Sequence, residues 1–170
     1  KLQGVAKHNL RKYKSEEYSK DNIEIIFGTD DLYQDVRNVY HQEFDEVVKE
    51  YNAKQKRADR KIDDYFEHVA GLSQDIAVEI IFQCGNKEFW DEHEDSKWRM
   101  HYVYNYLLCK LEEFLPNFKI ASAVIHFDEA SPHMHVVGVP VWGGAKKGLR
   151  KKVSKRNVFT PQTLSDILQG

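Results

Sequence analysis

The sequence predicts an α+β domain: an antiparallel or mixed β-sheet of about five strands with helices packed on one face. Three observations lead there. The alternating, β-branched run from Ile120 to Phe127 and the apolar run from His133 to Val141 are separated only by Asp128 to Pro132, and so short a connection demands antiparallel pairing. Two further strand-like runs, Ile23 to Phe27 and Ile76 to Gln83, alternate with long helical patterns, whose apolar stripes must be buried against a sheet. At 170 residues, with 41% hydrophobic and 31% charged side chains, the chain has the size and composition of one globular domain, 1–170.

Each element follows from local pattern. The N-terminal Lys7-His8-Asn9-Leu10-Arg11-Lys12-Tyr13-Lys14 is polar and basic, without amphipathic pattern. From Asp31 to about Ala53, apolar residues recur at Leu32, Val36, Val39, Tyr40, Phe44, Val47, Val48 and Tyr51, a helix with one buried face and with Thr29 or Asp30 as its cap. Lys54 to Asp64 reads as a connector or surface strip. In the second strand Ile76, Val78, Ile80 and Phe82 share a face. A second helix, Ser96 to Phe114, uses Trp98, Tyr102, Leu108, Leu111 and Leu115, and Pro116 stops it. On the hairpin, Ala121, Ala123, Ile125 and Phe127 would face the helices, which leaves the opposite, open face to polar residues. A short last helix begins with Thr160 as cap and Pro161 in its first turn.

Three histidines, His126, His133 and His135, fall on that open face within ten residues. His133 and His135, two apart on a strand, point the same way, and the hairpin brings His126 opposite them. Three imidazoles converging on one point are a metal-site pattern, and three ligands leave coordination positions open, as in a catalytic site. Imidazole suits Mn, Zn, Co, Ni or Cu better than Mg.

Charge is distributed unevenly. The net charge is −2, yet no acidic residue lies between Glu129 and Asp166, an interval that holds Lys146, Lys147, Arg150, Lys151, Lys152, Lys155 and Arg156. A basic segment beyond an open metal site fits phosphoryl transfer. Arg57 and Arg60 could contact a backbone phosphate, and Trp142 could stack on an unpaired base or simply pack. A nucleophile is still needed. No tyrosine follows Val136, so it must come from upstream, where His8, Tyr13 and Tyr18 lie, or be water. No run is long enough to span a membrane and no signal peptide opens the chain. Cys84 and Cys109 read as buried thiols, and the compartment as cytoplasmic.

His126-Phe127-Asp128-Glu129 followed by Pro132-His133-Met134-His135, with His8-Asn9-Leu10-Arg11 upstream, resembles the relaxase domain of the MobV, or Pre/Mob, family of plasmid mobilisation and recombination proteins, part of the HUH endonuclease group. The resemblance extends over nearly the whole chain, with Arg57 and Arg60 where that family has a basic pair. It implies an HUH relaxase-like fold in a bacterial cytoplasmic protein. It also implies metal-dependent, site- and strand-specific nicking and rejoining of DNA at a plasmid or mobile-element transfer origin, through a covalent 5′-phosphate link to the enzyme. By resemblance the nucleophile is His8, with Arg11 of the same motif and Glu129 as catalytic partners; His126, His133 and His135 hold a divalent ion, Mn2+ or Mg2+. Glu129 is suited to fix the tautomer of His8, a role open also to Asp128; alternatively Glu129 orients a metal ligand.

The implied partners are single-stranded and hairpin DNA at a transfer origin, without membrane contact by this domain, and for the whole protein a second copy and a coupling protein. Relative to the family pattern, an N-terminal strand and a C-terminal region are expected to be missing from this chain. Two other readings stay open: a replication initiator or transposase of the same group with Tyr13 or Tyr18 as nucleophile, and a non-catalytic module that binds origin DNA. A metal hydrolase acting on a small molecule leaves the basic segment unexplained.

Overall fold

Leu2, Val5, Ala6 and Leu10 pack on one core, and that helical spacing explains the first element of the computed structural model, α1 (Leu2–Asn9). The structure describes residues 2–13, 15, 18–163 and 165. The apolar stripe starts before the basic run, so a reading that begins at Lys7 misses it. After α1 come β1 (Ile23–Phe27), α2 (Leu32–Ala53), α3 (Tyr65–Ala70), β2 (Val78–Gln83), α4 (Lys87–Glu92), α5 (Met100–Phe114), β3 (Phe118–His126), β4 (His133–Trp142), β5 (Lys152–Val153) and α6 (Lys155–Val158).

The strands form a five-stranded sheet in the order β1-β3-β4-β2, with β5 added on β4, and every pairing is antiparallel. The α+β class and strand number match the expectation. Helix placement does not, because helices cover both faces. Val124, Val137, Val139 and Val141 pack with α1, α2 and α3 in one core. Ile120, Ala123, Ile125, Met134 and Val136 pack with α5 in a second. Both central strands are apolar on both sides, which is the pattern of a sheet buried twice over. A bulge between Ile120 and Ser122 turns Ala121 into the first core while Ala123, Ile125 and Phe127 belong to the second. An inserted residue shifts the alternation by one, so the four residues expected on one face are divided. The face that carries the histidines is therefore covered rather than open, and His126, His133 and His135 are all buried.

Boundaries and stripes shift in smaller ways. Asp31, rather than Thr29 or Asp30, caps α2 by accepting from Gln34 N at 3.1 Å. Thr29 bonds Asp31 and Asp35 instead. The buried stripe of α5 is Met100, Tyr104, Leu108 and Leu111, whereas Trp98 and Tyr102 are exposed. Val78, Ile80 and Phe82 of β2 do share the second core, while Ile76 packs on the first. Thr160 Oγ1 accepts from Thr163 N at 3.1 Å and residues 161–163 are helical, as the capping pattern predicts. Cys84 is half-buried and Cys109 exposed, neither in a disulfide. No helix among the described residues is long and apolar enough to cross a membrane.

The connection between β3 and β4 is held from below, where Tyr104 Oη donates to the Pro132 carbonyl at 2.6 Å. Farther along the same core, Gly138 lets Phe118 pack across β4: a Cβ there would lie 2.7 Å from Phe118 Cζ and 2.8 Å from the Lys119 carbonyl. Gly138→Ala should therefore destabilise the domain by about 1–3 kcal/mol through overpacking. An unchanged urea midpoint would refute that close approach.

Candidate metal centre

Antiparallel register places His126 opposite His133 and Val124 opposite His135, so the three rings gather at one end of the β3–β4 pair. Their centroids are 4.5 Å (His126 to His135), 4.9 Å (His133 to His135) and 5.1 Å (His126 to His133) apart. Among the described residues, each ring is hydrogen-bonded through one nitrogen. His126 Nε2–H donates to the Asn9 carbonyl at 2.9 Å, His133 Nδ1–H to the Ser131 carbonyl at 2.9 Å, and His135 Nδ1–H to Glu79 Oε1 at 2.9 Å. These bonds fix the tautomers and leave lone pairs on His126 Nδ1, His133 Nε2 and His135 Nε2. His126 Nδ1 and His135 Nε2 are buried and have no hydrogen-bond partner among the described residues, a cost of about 1–3 kcal/mol for each such group that a cation would offset. Glu129 Oε1 lies 3.7 Å from His126 Nδ1 and 3.8 Å from His133 Nε2. Two overlapping sets, His8 with His126 and His135, and His126 with Glu129 and His133, could hold a metal ion. The donor set, imidazoles with one carboxylate in reach, fits a borderline divalent ion.

The residues after α1 form the roof. Arg11 has φ 46°, a left-handed conformation unusual for a side chain of its size, and its guanidinium is fully buried. It donates from Nε and Nη2 to Asp128 at 2.9 and 2.6 Å, and from Nη2 to Glu129 Oε1 at 2.7 Å. Nη1 reaches Tyr13 Oη at 3.1 Å, and the Tyr18 ring lies 4.6 Å from the guanidinium. Burial opposes the charge, but the bonds to Asp128 and Glu129 win and raise the pKa of Arg11. The same bond from Arg11, working against burial, lowers that of Glu129.

His8 is exposed at the mouth of the cluster, with its ring 5.4 Å from that of His126 and 5.2 Å from that of His135. Desolvation, then the neighbouring His135 and Arg11, hold its pKa below the ordinary histidine value. Burial pushes His126 down to about 4. Both rings are therefore neutral near pH 7, the form that ligates or attacks. Neither Glu129 nor Asp128 is hydrogen-bonded to the His8 ring; Arg11 engages both carboxylates and itself lies 3.4 Å from His8 Nδ1.

Among the described residues, the basic side chains divide into those with a carboxylate partner and those without one. Arg150 is paired with Glu50 at 2.9 Å, Lys151 with Glu43 at 2.7 Å, Lys155 with Asp75 at 3.6 Å and Arg57 with Asp59 at 2.6 Å. For Arg150 and Lys151 the acid missing from the local sequence is supplied by α2, and for Lys155 by Asp75, ahead of β2. Arg60 and Lys152, distant in sequence, line one cleft of about 490 Å3 together with Lys61 and His68. Lys146, Lys147 and Arg156 are exposed. Trp142 packs partly buried against the second core and under Gly144. All of this lies at the far end of β4: seven residue steps from His135 to Trp142 span roughly 20–25 Å. The basic segment is close to the histidines in sequence but not in space.

Asn9 and Glu79 were not singled out by sequence reasoning. Asn9 Nδ2 donates to Glu79 Oε1 at 2.8 Å, and hydrogen bonds from His135 and Asn9 keep Glu79 ionised despite burial. Glu79 is the only acid within the apolar run Val78 to Phe82, a signal that could have marked it. The Asp128 side chain is 1% exposed, so Arg11→Ala would strand a buried carboxylate and should cost about 3–5 kcal/mol. A loss under 1 kcal/mol in chemical unfolding would show that the pair is not held as described.

Comparison with known proteins identifies the family. The sequence profile of one family, described as plasmid recombination enzyme (Mob_Pre), matches residues 1–169. A plasmid recombination enzyme type 2 from Staphylococcus aureus is 26% identical over 163 residues, covering 96% of this chain and 34% of the relative. A plasmid recombination enzyme from a Bacillus species is 27% identical over 163 residues, again 96% and 34%. The chain thus spans about a third of the length of these relatives. Among solved structures, a MobM relaxase domain (MOBV) bound to plasmid origin-of-transfer DNA and manganese shares the fold, with TM-score 0.56 and 23% identity over 98% of this chain and 74% of that one. By the match along nearly its whole length, this chain belongs to the Mob/Pre family of plasmid recombination enzymes.

Proposed function

We propose that the domain is a metal-dependent DNA relaxase that nicks and rejoins one strand at a plasmid transfer origin, with His8 as nucleophile. The observation that supports this best is the four-histidine cluster: three buried rings with their outer nitrogens committed, and a fourth, exposed and neutral, against them. His126, His133 and His135 would hold the ion, with Glu129 in reach. A MobM relaxase domain that shares this fold is bound to Mn, an ion that imidazole donors suit. Once bound, such an ion would neutralise charge on the scissile phosphate.

The rest falls to the chain. Arg11 fixes the segment that carries His8 and, lying 3.4 Å from its ring, favours the neutral form. The His8 lone pair forms the P–N bond as the P–O3′ bond breaks. The ring gives up its N–H proton and the 3′ oxygen takes one, so the exchange is balanced. Attack by the 3′ hydroxyl reverses it. The cleft of Arg60 and Lys152 would hold backbone away from the cut, with Lys146, Lys147 and Arg156 as further contacts, and the paired Arg57, Arg150, Lys151 and Lys155 would act only after releasing their carboxylates.

Tyr13, its hydroxyl on Arg11 and 39% exposed, is the rival nucleophile. Incubation with single-stranded origin DNA and Mn should give a covalent adduct that acid destroys, as expected of phosphohistidine. His8→Ala should abolish it, while Tyr13→Phe should change it less than about tenfold, or 1.4 kcal/mol. An acid-stable adduct, or one that survives in His8→Ala, would assign the bond to tyrosine.

Acid should reduce nicking by protonating His8. Because burial, His135 and Arg11 lower that pKa, the acid limb of kcat/KM should lie below pH 6.5. A limb at or above the ordinary histidine value would exclude His8 as the group that must be neutral.

A further inference from the structure

Asn9 touches the centre twice. Its backbone carbonyl accepts the Nε2–H of His126 at 2.9 Å, and its side-chain Nδ2 donates to Glu79 Oε1 at 2.8 Å. That same oxygen accepts the Nδ1–H of His135 at 2.9 Å. Two of the three buried rings are therefore oriented through one residue, and that residue ends α1 directly after His8. Asn9 is 2% exposed, and its Oδ1 has no hydrogen-bond partner among the described residues. The amide is thus held in place by what its nitrogen does.

We propose that Asn9 and Glu79 are positioning residues that make metal loading and the seating of His8 a single event. His126 and His135 present their lone pairs only while Asn9 and Glu79 occupy their other nitrogens, and Asn9 is in place only when the end of α1 is docked. Linkage makes this reciprocal: an ion that favours the docked arrangement must dock α1, and undocking α1 must weaken the ion. The proposal rests on the reading of the cluster as a metal centre beside a nucleophile. It adds that neither half is built without the other.

The test uses Mn titration calorimetry with hydrogen exchange at residues 5–12, on the wild-type chain and on Asn9→Ala, Asn9→Asp and Glu79→Gln. In the wild type, Mn should slow exchange across the end of α1. Asn9→Ala removes no metal-ligand atom, yet it should weaken Mn binding by about tenfold or more and abolish the slowing. Asn9→Asp has the same shape but sets a carboxylate against Glu79, and should be no better. Glu79→Gln keeps an accepting oxygen and should lose less than Asn9→Ala. Metal-free thermal unfolding identifies any variant that has simply lost its fold, and the remaining variants then decide. Wild-type affinity in Asn9→Ala, or exchange at α1 that ignores Mn in the wild type, overturns the coupling while the metal reading survives. Absence of Mn uptake by the wild type overturns both. Nicking that persists in His8→Ala, with coupling intact, overturns only the nucleophile.

Discussion

Arg11 turns back through a left-handed backbone conformation and ends with no exposed side-chain surface, between Asp128 and Glu129. A buried cation is tolerated only when carboxylates meet it in good geometry, and here both come from the loop that joins the two histidine strands. One ion pair thus ties the N-terminal segment to the hairpin. His8 is placed against the rings because Arg11, three residues later, is anchored to Asp128 and Glu129 beside them. Glu129 points toward His126 and His133 because Arg11 holds the oxygen that they approach.

The sheet supplies the rigidity this arrangement needs. With α2 on one side and α5 on the other, β3 and β4 are buried along nearly their whole length, and the strands cannot shift register without moving two cores. Into this apolar framework the chain inserts a polar knot of imidazoles and carboxylates. Asn9, Ser131 and Glu79 each satisfy one nitrogen, and what remains unsatisfied points inward. Such a site is assembled from separated parts of the chain, and its tolerance for error is small.

The sequence was most legible where periodicity is local. The hairpin, the long helix and the gathering of His126, His133 and His135 could be read from alternation and spacing alone. It was least legible where a contact joins distant segments. The pairing of Arg150 with Glu50 and of Lys151 with Glu43 cannot be seen from a stretch that is itself free of acid. The same holds for Glu79 and Asn9, 70 residues apart. The bulge at Ala121 carries no strong sequence mark, and by shifting one residue it separated Ala121 from Ala123. The second covering layer was implied by strands apolar on both sides, but the expectation of an open face for the histidines hid it. Motif likeness pointed to His8 and Arg11 without giving the reason for them; the fold gives Arg11 a mechanical one.

Strand β4 has the histidines at its first residues and the β5 pairing at its last. A β-strand cannot stretch, so the distance between the histidine end and the basic end is a fixed length, unlike one set by a flexible tether. At roughly 3.4 Å per nucleotide step along a duplex strand, that length would correspond to about six or seven steps. If the domain acts as proposed, it would count its distance from the cut in backbone hydrogen bonds, and changing the count would require rebuilding the sheet.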